Sequence, residues 1–374
     1  MKKRFTAFIL AIILMLGINV VANANSITVS ISDANSFKST NLSGNTLIFD
    51  AGAFAAVQYN ITYEALSDFH YDSDIKYYTF KHGNFSVRVD KNGYFDFGIN
   101  GIRFTVSNCL FNAEFVKTDN TYMPIIKTKT ENRYTVYDSS ITELFTAKVN
   151  DTIVSCKDNK NGVLIFDTQL LGTVTIFEFK FEDVSDINKW YYSYINKAGA
   201  YGIMNGMGEN KFEPQTNITR AQLATMLVRV TEDLISFDIN ENIKFDDVKN
   251  ETWFSEYVLK CASAGLMIGR ESTKFEPTQN ATRQEIATVI ARTLRILGTH
   301  GGAALPVIDD STYQNELANI FKDSSKIQNW AKKDVLFCHK LGIMVGDSEG
   351  FRPLDKITRA ECAKIFWLVY SENV

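Results

Sequence analysis

Three arginines in the second half of the chain share one local setting. Thr219-Arg220-Ala221-Gln222, Thr282-Arg283-Gln284-Glu285 and Thr358-Arg359-Ala360-Glu361 each set a hydroxyl, then a guanidinium, then Gln or Glu three residues after the hydroxyl. Thr followed at that spacing by Glu or Gln is the pattern of a capping box at a helix start. A helix start carries N–H groups with no partner inside the helix, together with the positive end of its dipole. An Arg at the first helical position adds a fork that can hold a carboxylate through two hydrogen bonds. The chemistry expected of Arg220, Arg283 and Arg359 is therefore reversible capture of an anion, in three equivalent copies. The structural alternative is that each Arg is solvated or paired with a neighbouring acid.

The elements that would position these groups repeat with them. Copies begin at Phe181, Phe245 and Phe321, and in each a Trp (Trp190, Trp253, Trp330) precedes a Gly (Gly202, Gly265, Gly342) by 12 residues. A repeat of this size is one supersecondary unit. The spacing predicts a first helix that starts near the Trp and buries it with positions four and eight further on, as in Trp190, Tyr194 and Ala198. The Gly ends that helix as a left-handed cap. A loop with Phe212-Glu213-Pro214, Phe275-Glu276-Pro277 or Phe351-Arg352-Pro353 follows. Thr219, Thr282 and Thr358 then start a second helix, with apolar stripes at Leu223, Met226, Leu227 and Val230; Ile286, Val289 and Ile290; and Cys362, Ile365, Phe366 and Val369.

This register places Cys261 and Cys338 where Ala198 stands, and Cys362 where Leu223 and Ile286 stand. A thiol there acts as a small apolar group, and no metal site is expected. Cys109 and Cys156, in the first half, could pair, which sequence alone cannot show. The insertion from Gly298 to Ile320 is read as a linker with a short helix around Tyr313 to Ile320.

These residues resemble the S-layer homology (SLH) domain family over residues 181–374. Its pattern is Phe-x-Asp, a Trp before the first helix, Gly-x-x-x-Gly, Phe-x-Pro and Thr-Arg-Ala-Glu, and such domains usually come in threes. Matching positions are Asp183, Asp247 and Asp323; Gly202/Gly206, Gly265/Gly269 and Gly342/Gly346; and the three Thr-Arg steps. The resemblance implies a three-pronged helical bundle with grooves between prongs. It also implies noncovalent anchoring to the secondary polysaccharide of a Gram-positive-type cell wall, often one bearing a pyruvate ketal. Candidate polysaccharide-binding residues are thus Thr219, Thr282 and Thr358 with their arginines, and Gly206, Gly269 and Gly346, where a sugar could approach the backbone. Trp190, Trp253 and Trp330 could stack on sugar rings, although packing is the commoner role of a repeated Trp. Asp183, Asp247 and Asp323 are expected either to cap the first helix or to orient the Arg. Gln222 replaces the usual Glu and Gln284 the usual Ala, and Gly269-Arg270-Glu271 lacks the extra glycines of the other copies. The first and third grooves are therefore favoured over the second.

The first half has a different period. Met1 to Ala24 has a basic start, an apolar run and Ala22-Asn23-Ala24, the pattern of a secretory signal peptide cleaved after Ala24. From Ser26 to Phe181 apolar residues alternate: Ile27, Val29, Ile31; Phe85, Val87, Val89; then, after a turn at Lys91-Asn92-Gly93, Phe95, Phe97 and Ile99. That spacing predicts a hairpin within an all-β, sandwich-like module. Asn161-Gly162 precedes a further strand at Val163 to Phe166, and Thr173 to Phe181 closes the region. One helix is predicted over Asp50 to Tyr59, capped by Asp50. The expected organisation is signal peptide 1–24, β module 25–180, repeats 181–240 and 241–300, linker 301–320, and repeat 321–374.

The chain carries a formal charge of −4, which becomes −7 without Lys2, Lys3 and Arg4. An acidic chain with no basic block is a poor nucleic-acid binder, and no later segment is apolar and long enough to span a membrane. The half bearing the arginines is itself acidic, so attraction to an anionic polymer has to come from local pockets. The first half lacks recognisable nucleophile, zinc-protease and phosphate-loop motifs, and Asp72 and Asp74 are read as a solvated turn and not a Ca²⁺ site. No enzyme activity and no cofactor are expected. The leading expectation is an exported β module held at the cell surface by the repeats. The alternatives are a cohesin-like or carbohydrate-binding module that captures a protein or glycan, and, less favoured, a wall-bound glycoside hydrolase.

Overall fold

A computed structural model describes residues 19–22, 26–50, 56–94, 101–107, 109–116, 122–125, 127–232, 234–300 and 302–372. The leader up to residue 18 and the expected cleavage site lie outside the described residues. The chain divides into two compact units, Met1–Phe179 and Lys180–Val374.

The first unit is rich in β structure. Its strands are β1 (Asn19–Ala22), β2 (Ser26–Ile31), β3 (Leu42–Ser43), β4 (Thr46–Asp50), β5 (Ala56–Thr62), β6 (Tyr77–His82), β7 (Phe85–Asp90), β8 (Gly101–Ser107), β9 (Leu110–Val116), β10 (Tyr122–Ile125), β11 (Lys127–Tyr137), β12 (Phe145–Val149), β13 (Thr152–Val154), β14 (Cys156–Asp158), β15 (Val163–Leu170) and β16 (Gly172–Glu178). One sheet has the order β1-β2-β5-β8-β9-β16-β12-β13 with β10 beside β9, and the other β14-β15-β11-β7-β6-β4-β3. Both are mixed, because β2 pairs β5 and β4 pairs β6 in parallel. Phe80 of β6 lies 4.5 Å from Phe104 of β8 and 4.6 Å from Phe49 of β4, so aromatic packing joins the two sheets.

Two expectations are corrected here. Residues 56–59 belong to β5, not to a helix, because Val57, Tyr59 and Ile61 alternate inward with period two. The helices lie on either side, α1 (Ala34–Asn41) capped by Asp33 and α2 (Tyr63–Tyr71) capped by Thr62. The hairpin turn is at Gly83 and Asn84, between β6 and β7. Lys91–Gly93 is a short 3-10 turn, because β7 already has β6 and β11 as neighbours and has no edge left for a returning strand. The expected strand at 95–99 lies outside the described residues. Asp72 and Asp74 are both paired with Lys38, so a lysine occupies the place where a cation was weighed. No disulfide joins Cys109 and Cys156; both carry thiols.

The second unit consists of helix pairs α3 (Tyr192–Ala200) and α4 (Arg220–Thr231), α5 (Ser255–Ser263) and α6 (Arg283–Leu297), and α8 (Lys332–Lys340) and α9 (Arg359–Ser371), with α7 (Tyr313–Ile320) in the insertion. Gly202, Gly265 and Gly342 have φ of 70°, 69° and 72°, the left-handed conformation that ends the first helix of each copy. The three second helices each have the full capping box. Their apolar stripes are buried, as are Cys261, Cys338 and Cys362.

Packing partners come from different repeats. Helix α4 packs on α5, α6 on α8, and α9 on α3, so each prong joins the second helix of one repeat to the first helix of the next. Cys261 Sγ reaches the Ala224 carbonyl across one such seam and Cys338 Sγ the Ala287 carbonyl across another, each at 3.3 Å. At the centre three extended segments close a ring. Ile218 N–H donates to Ile357 O, Ile357 N–H to Ala281 O, and Ala281 N–H back to Ile218 O. The third repeat thus docks on the first, and the array is closed.

Candidate functional site

The three arginines are inside the protein. Arg220, Arg283 and Arg359 are 5%, 7% and 3% exposed. Each Nε donates to the Phe-x-Pro loop of the next repeat: Arg220 to Phe275 O, Arg283 to Phe351 O, and Arg359 to Phe212 O. Nη2 of Arg220 also donates to Ile268 O, and Nη2 of Arg359 to Asn205 O. The same Phe supplies a ring under the guanidinium, 4.6 Å from Arg220, 5.5 Å from Arg283 and 4.4 Å from Arg359. The helix-start N–H groups are used as well. Those of Arg220 and Ala221 donate to Gln279 O and Pro277 O, and equivalent pairs hold the other two seams. This corrects the expectation of open helix mouths with three free hooks. A helix start buried in a seam must satisfy its donors there, and the neighbouring loop does so. Burial draws all three guanidinium groups below their ordinary pKa.

The aspartates neither cap the first helix nor touch the Arg. Asp183 accepts from the N–H groups of Phe212 and Glu213, Asp247 from Phe275 and Glu276, and Asp323 from Phe351 and Arg352, all at 2.7–2.9 Å. They clamp the loop where Glu213, Glu276 and Arg352 take positive φ, and so aim the carbonyl that receives the incoming Arg. The glycines are demanded by the protein's own packing. A Cβ on Gly346 would lie 2.7 Å from the Phe321 ring and 2.8 Å from Gly350 O, and one on Gly269 2.5 Å from Glu271 O.

The tryptophans are the reverse of the packing expectation. Trp190, Trp253 and Trp330 are 54%, 61% and 54% exposed. Each lies in the turn before its helix, whose buried positions are one residue out of step: Ile195 and Ala198, Val258 and Cys261, Val335 and Cys338. Trp190 and Trp253 each meet the edge of the following aromatic ring, at 5.4 and 5.3 Å.

Two grooves bring the predicted residues together across repeats. The first, about 310 Å³, is lined by Gly206, Met207 and Gln222 of the first repeat, Trp253 of the second and Arg359 of the third. The other, about 180 Å³, is lined by Gly346, Asp347 and Glu361 of the third repeat, Trp190 of the first and Arg283 of the second. At the equivalent place in the second repeat, Arg270 is paired with both Glu276 and Glu285, at 2.7 and 2.8 Å. Thr219, Thr282 and Thr358 cap the second helices. Sequence reasoning missed Arg229, Arg270 and Arg352, which line or cross the grooves. For Arg229 the available signal was its spacing, since it lies seven residues after Gln222 and so shares that residue's face of the helix.

Comparison with known proteins agrees with this geometry. A family model for the S-layer homology domain matches residues 180–224, 244–287 and 320–363. The second unit therefore carries three S-layer homology domains, modules that generally mediate attachment to the cell wall and are typically found in surface-associated proteins. The chain is similar to an amylopullulanase of Thermoanaerobacterium thermosulfurigenes, 27% identical over 213 residues, covering 56% of this chain and 10% of that protein. It is also similar to exoglucanase XynX of Acetivibrio thermocellus, 29% identical over 191 residues, covering 50% of this chain and 16% of that protein. The S-layer protein sap of Bacillus anthracis is 26% identical over 175 residues, covering 47% of this chain and 19% of that protein. The chain thus spans less than a fifth of the length of each of these relatives.

Proposed function

We propose that the second unit anchors an exported protein noncovalently to the cell wall by binding an anionic secondary polysaccharide, one bearing pyruvate ketals, in the grooves between its prongs. The first unit is then cargo displayed at the surface, without catalytic activity of its own. The observation that supports this best is the meeting of an exposed Trp, a guanidinium and a backbone glycine, each from a different repeat or element, in one groove. An indole face suits the C–H face of a sugar ring, and a cation in a concave, partly desolvated wall suits its carboxylate. A Trp that stays more than half exposed in all three repeats is better explained by a ligand than by packing.

The experiment is co-sedimentation of the full chain with purified wall sacculi. Because the arginines are structural, the informative change is the triple substitution Trp190→Ala, Trp253→Ala, Trp330→Ala. We expect retention on sacculi to fall at least about tenfold with the circular dichroism melt unchanged. Full retention by the triple variant would remove the grooves from the account.

A further inference from the structure

The first unit has a hollow of its own, on the outward face of the sheet that contains β6, β7, β11 and β15. Along β7, Phe85, Val87 and Val89 are buried, so Ser86, Arg88 and Asp90 point away from the core. The register then sets charged residues side by side. Arg88 of β7 stands opposite Arg133 of β11, and Arg133 stands opposite Asp167 of β15. Two residues along β7, Asp90 stands opposite Tyr77 of β6. These side chains, with Glu131, line a cavity of about 170 Å³.

Like charges directly opposite each other weaken a sheet unless each is offset. Arg133 is offset by Asp167. Its Nε and Nη2 donate to the two carboxylate oxygens at 2.9 and 2.7 Å, a two-pronged pair that fixes both side chains. Arg88 is held differently. Its guanidinium lies over the Tyr77 ring, 4.8 Å from the centroid, and among the described residues it has no hydrogen-bond or ion-pair partner. Asp90 and Glu131 line the same cavity, yet neither is paired with it. Asp90 instead turns one oxygen to the Asn92 N–H, at 2.8 Å. The cavity thus keeps a fork of donors, braced by a ring, apart from carboxylates of opposite charge.

The charges decide the ligand class. Two guanidinium groups stand among three carboxylates, so the hollow has no surplus of positive charge to hold an anion. The unpaired Arg88 opposes a cation in the same way. An uncharged group that can accept from a guanidinium and donate to a carboxylate is a hydroxyl, and a carboxylate already holding an Arg keeps lone pairs for it. A sugar ring presents several such groups side by side. The volume is well below the roughly 300 Å³ at which pockets for drug-sized ligands begin, which suits one ring with the rest of its chain in solvent.

We propose that this hollow binds one ring of a neutral polysaccharide, with Arg88 as donor and Asp90 and Asp167 as acceptors. The displayed unit is then a glycan-capturing module. No residue of the second unit takes part, so the site stands whether or not the repeats hold the wall.

The test is a screen of the full chain against immobilised neutral hexaoses of glucose, xylose, mannose and galactose, beside sulfated and uronic-acid chains, with isothermal titration of each hit. A neutral hexaose is expected to bind about equally at low and high salt, since no ligand charge is screened. Arg88→Ala and Asp90→Asn should each weaken it at least about tenfold. Lys81→Ala, on the same face outside the hollow, should leave it intact, as should Trp253→Ala in the second unit. Arg88 is exposed and Asn can keep the bond to the Asn92 N–H, so the thermal melt should not change in either variant. A neutral hit of unchanged affinity in Arg88→Ala overturns the site. Binding confined to acidic chains, lost in Arg88→Ala and weakened by salt, overturns the neutral class. Binding of no neutral hexaose overturns the proposal. Retention of Arg88→Ala on wall sacculi should match wild type, so failure here and failure of anchoring are read separately.

Discussion

The second unit carries two threefold sets of residues with opposite fates. The charged set, Arg220, Arg283 and Arg359, is sealed in the seams, while the aromatic set, Trp190, Trp253 and Trp330, stands in solvent. Hydrophobicity alone orders them the other way. The difference lies in what each can satisfy. A guanidinium has five donors in a flat fork, and a seam between repeats contains loop carbonyls turned inward with no strand to pair with. The Arg satisfies those carbonyls, lies on a Phe ring, and completes a joint that an apolar side chain would leave with unpaired oxygens. The indole has no such task, and its exposure leaves it to a ligand. Repetition in sequence therefore marks two jobs here, one that builds the grooves and one that lines them.

The largest expected effect tests the inner set. Arg359→Ala would leave the Phe212 and Asn205 carbonyls buried without their donor and open the seam by which the third repeat docks on the first. A cost of about 2–5 kcal/mol is expected from losing a buried charged group with two hydrogen bonds. Arg359→Lys should recover little of it, because one ammonium cannot span both carbonyls while lying on the Phe212 ring. Urea unfolding of the full chain, followed by a probe in the second unit, measures this. Trp330→Ala in the same assay should change stability by less than about 0.5 kcal/mol. If the two substitutions cost the same, the division between builder and lining residues fails.

A smaller effect is expected one step behind the arginine. Asp183 holds the loop that presents the Phe212 carbonyl to Arg359. Asp183→Asn keeps the shape but leaves one oxygen where two accepted, and turns an N–H donor toward a loop N–H. The expected cost is about 1–3 kcal/mol. It should be less than additive with Arg359→Ala, since both act on one joint. Strict additivity in that double-mutant cycle would show that the clamp and the arginine work independently.

The parts of this architecture that were legible in sequence are local. A capping box needs only residues three apart, a left-handed cap only a Gly, and the buried thiols only a register with Ala198 and Leu223. The short helix at Tyr313–Ile320 and the strand after Asn161-Gly162 were readable for the same reason. What was not legible depends on partners far along the chain. The carbonyls that bury Arg359 come from Phe212 and Asn205, and nothing near Arg359 announces them. The tryptophans were misplaced by one residue of helical register, enough to turn a side chain from core to solvent. In the first unit, Asp50 as a candidate cap suggested a helix up to Tyr59, but the inward pattern of Val57, Tyr59 and Ile61 shows that pairing with β2 and β8 decided the outcome.

The smallest effect expected is a pH dependence that separates the repeats. Burial acts against ionised Glu285, but the Thr282 cap and the Arg270 guanidinium outweigh it and hold the carboxyl below the usual Glu value. A depressed folded pKa means that the ionised form is favoured by folding. Its stabilisation is complete above the unfolded value and is lost as pH falls through the folded one. The first repeat has no such term at the same position, because Gln222 makes the box without titrating. Glu285→Gln should therefore flatten the acid limb of stability below about pH 4.5, with a loss at neutral pH of no more than about 1 kcal/mol from the pairing with Arg270. Urea midpoints measured from about pH 3 to pH 7 read both quantities. An acid limb of the same slope in the variant would show that the second groove's glutamate draws no stability from its ionisation.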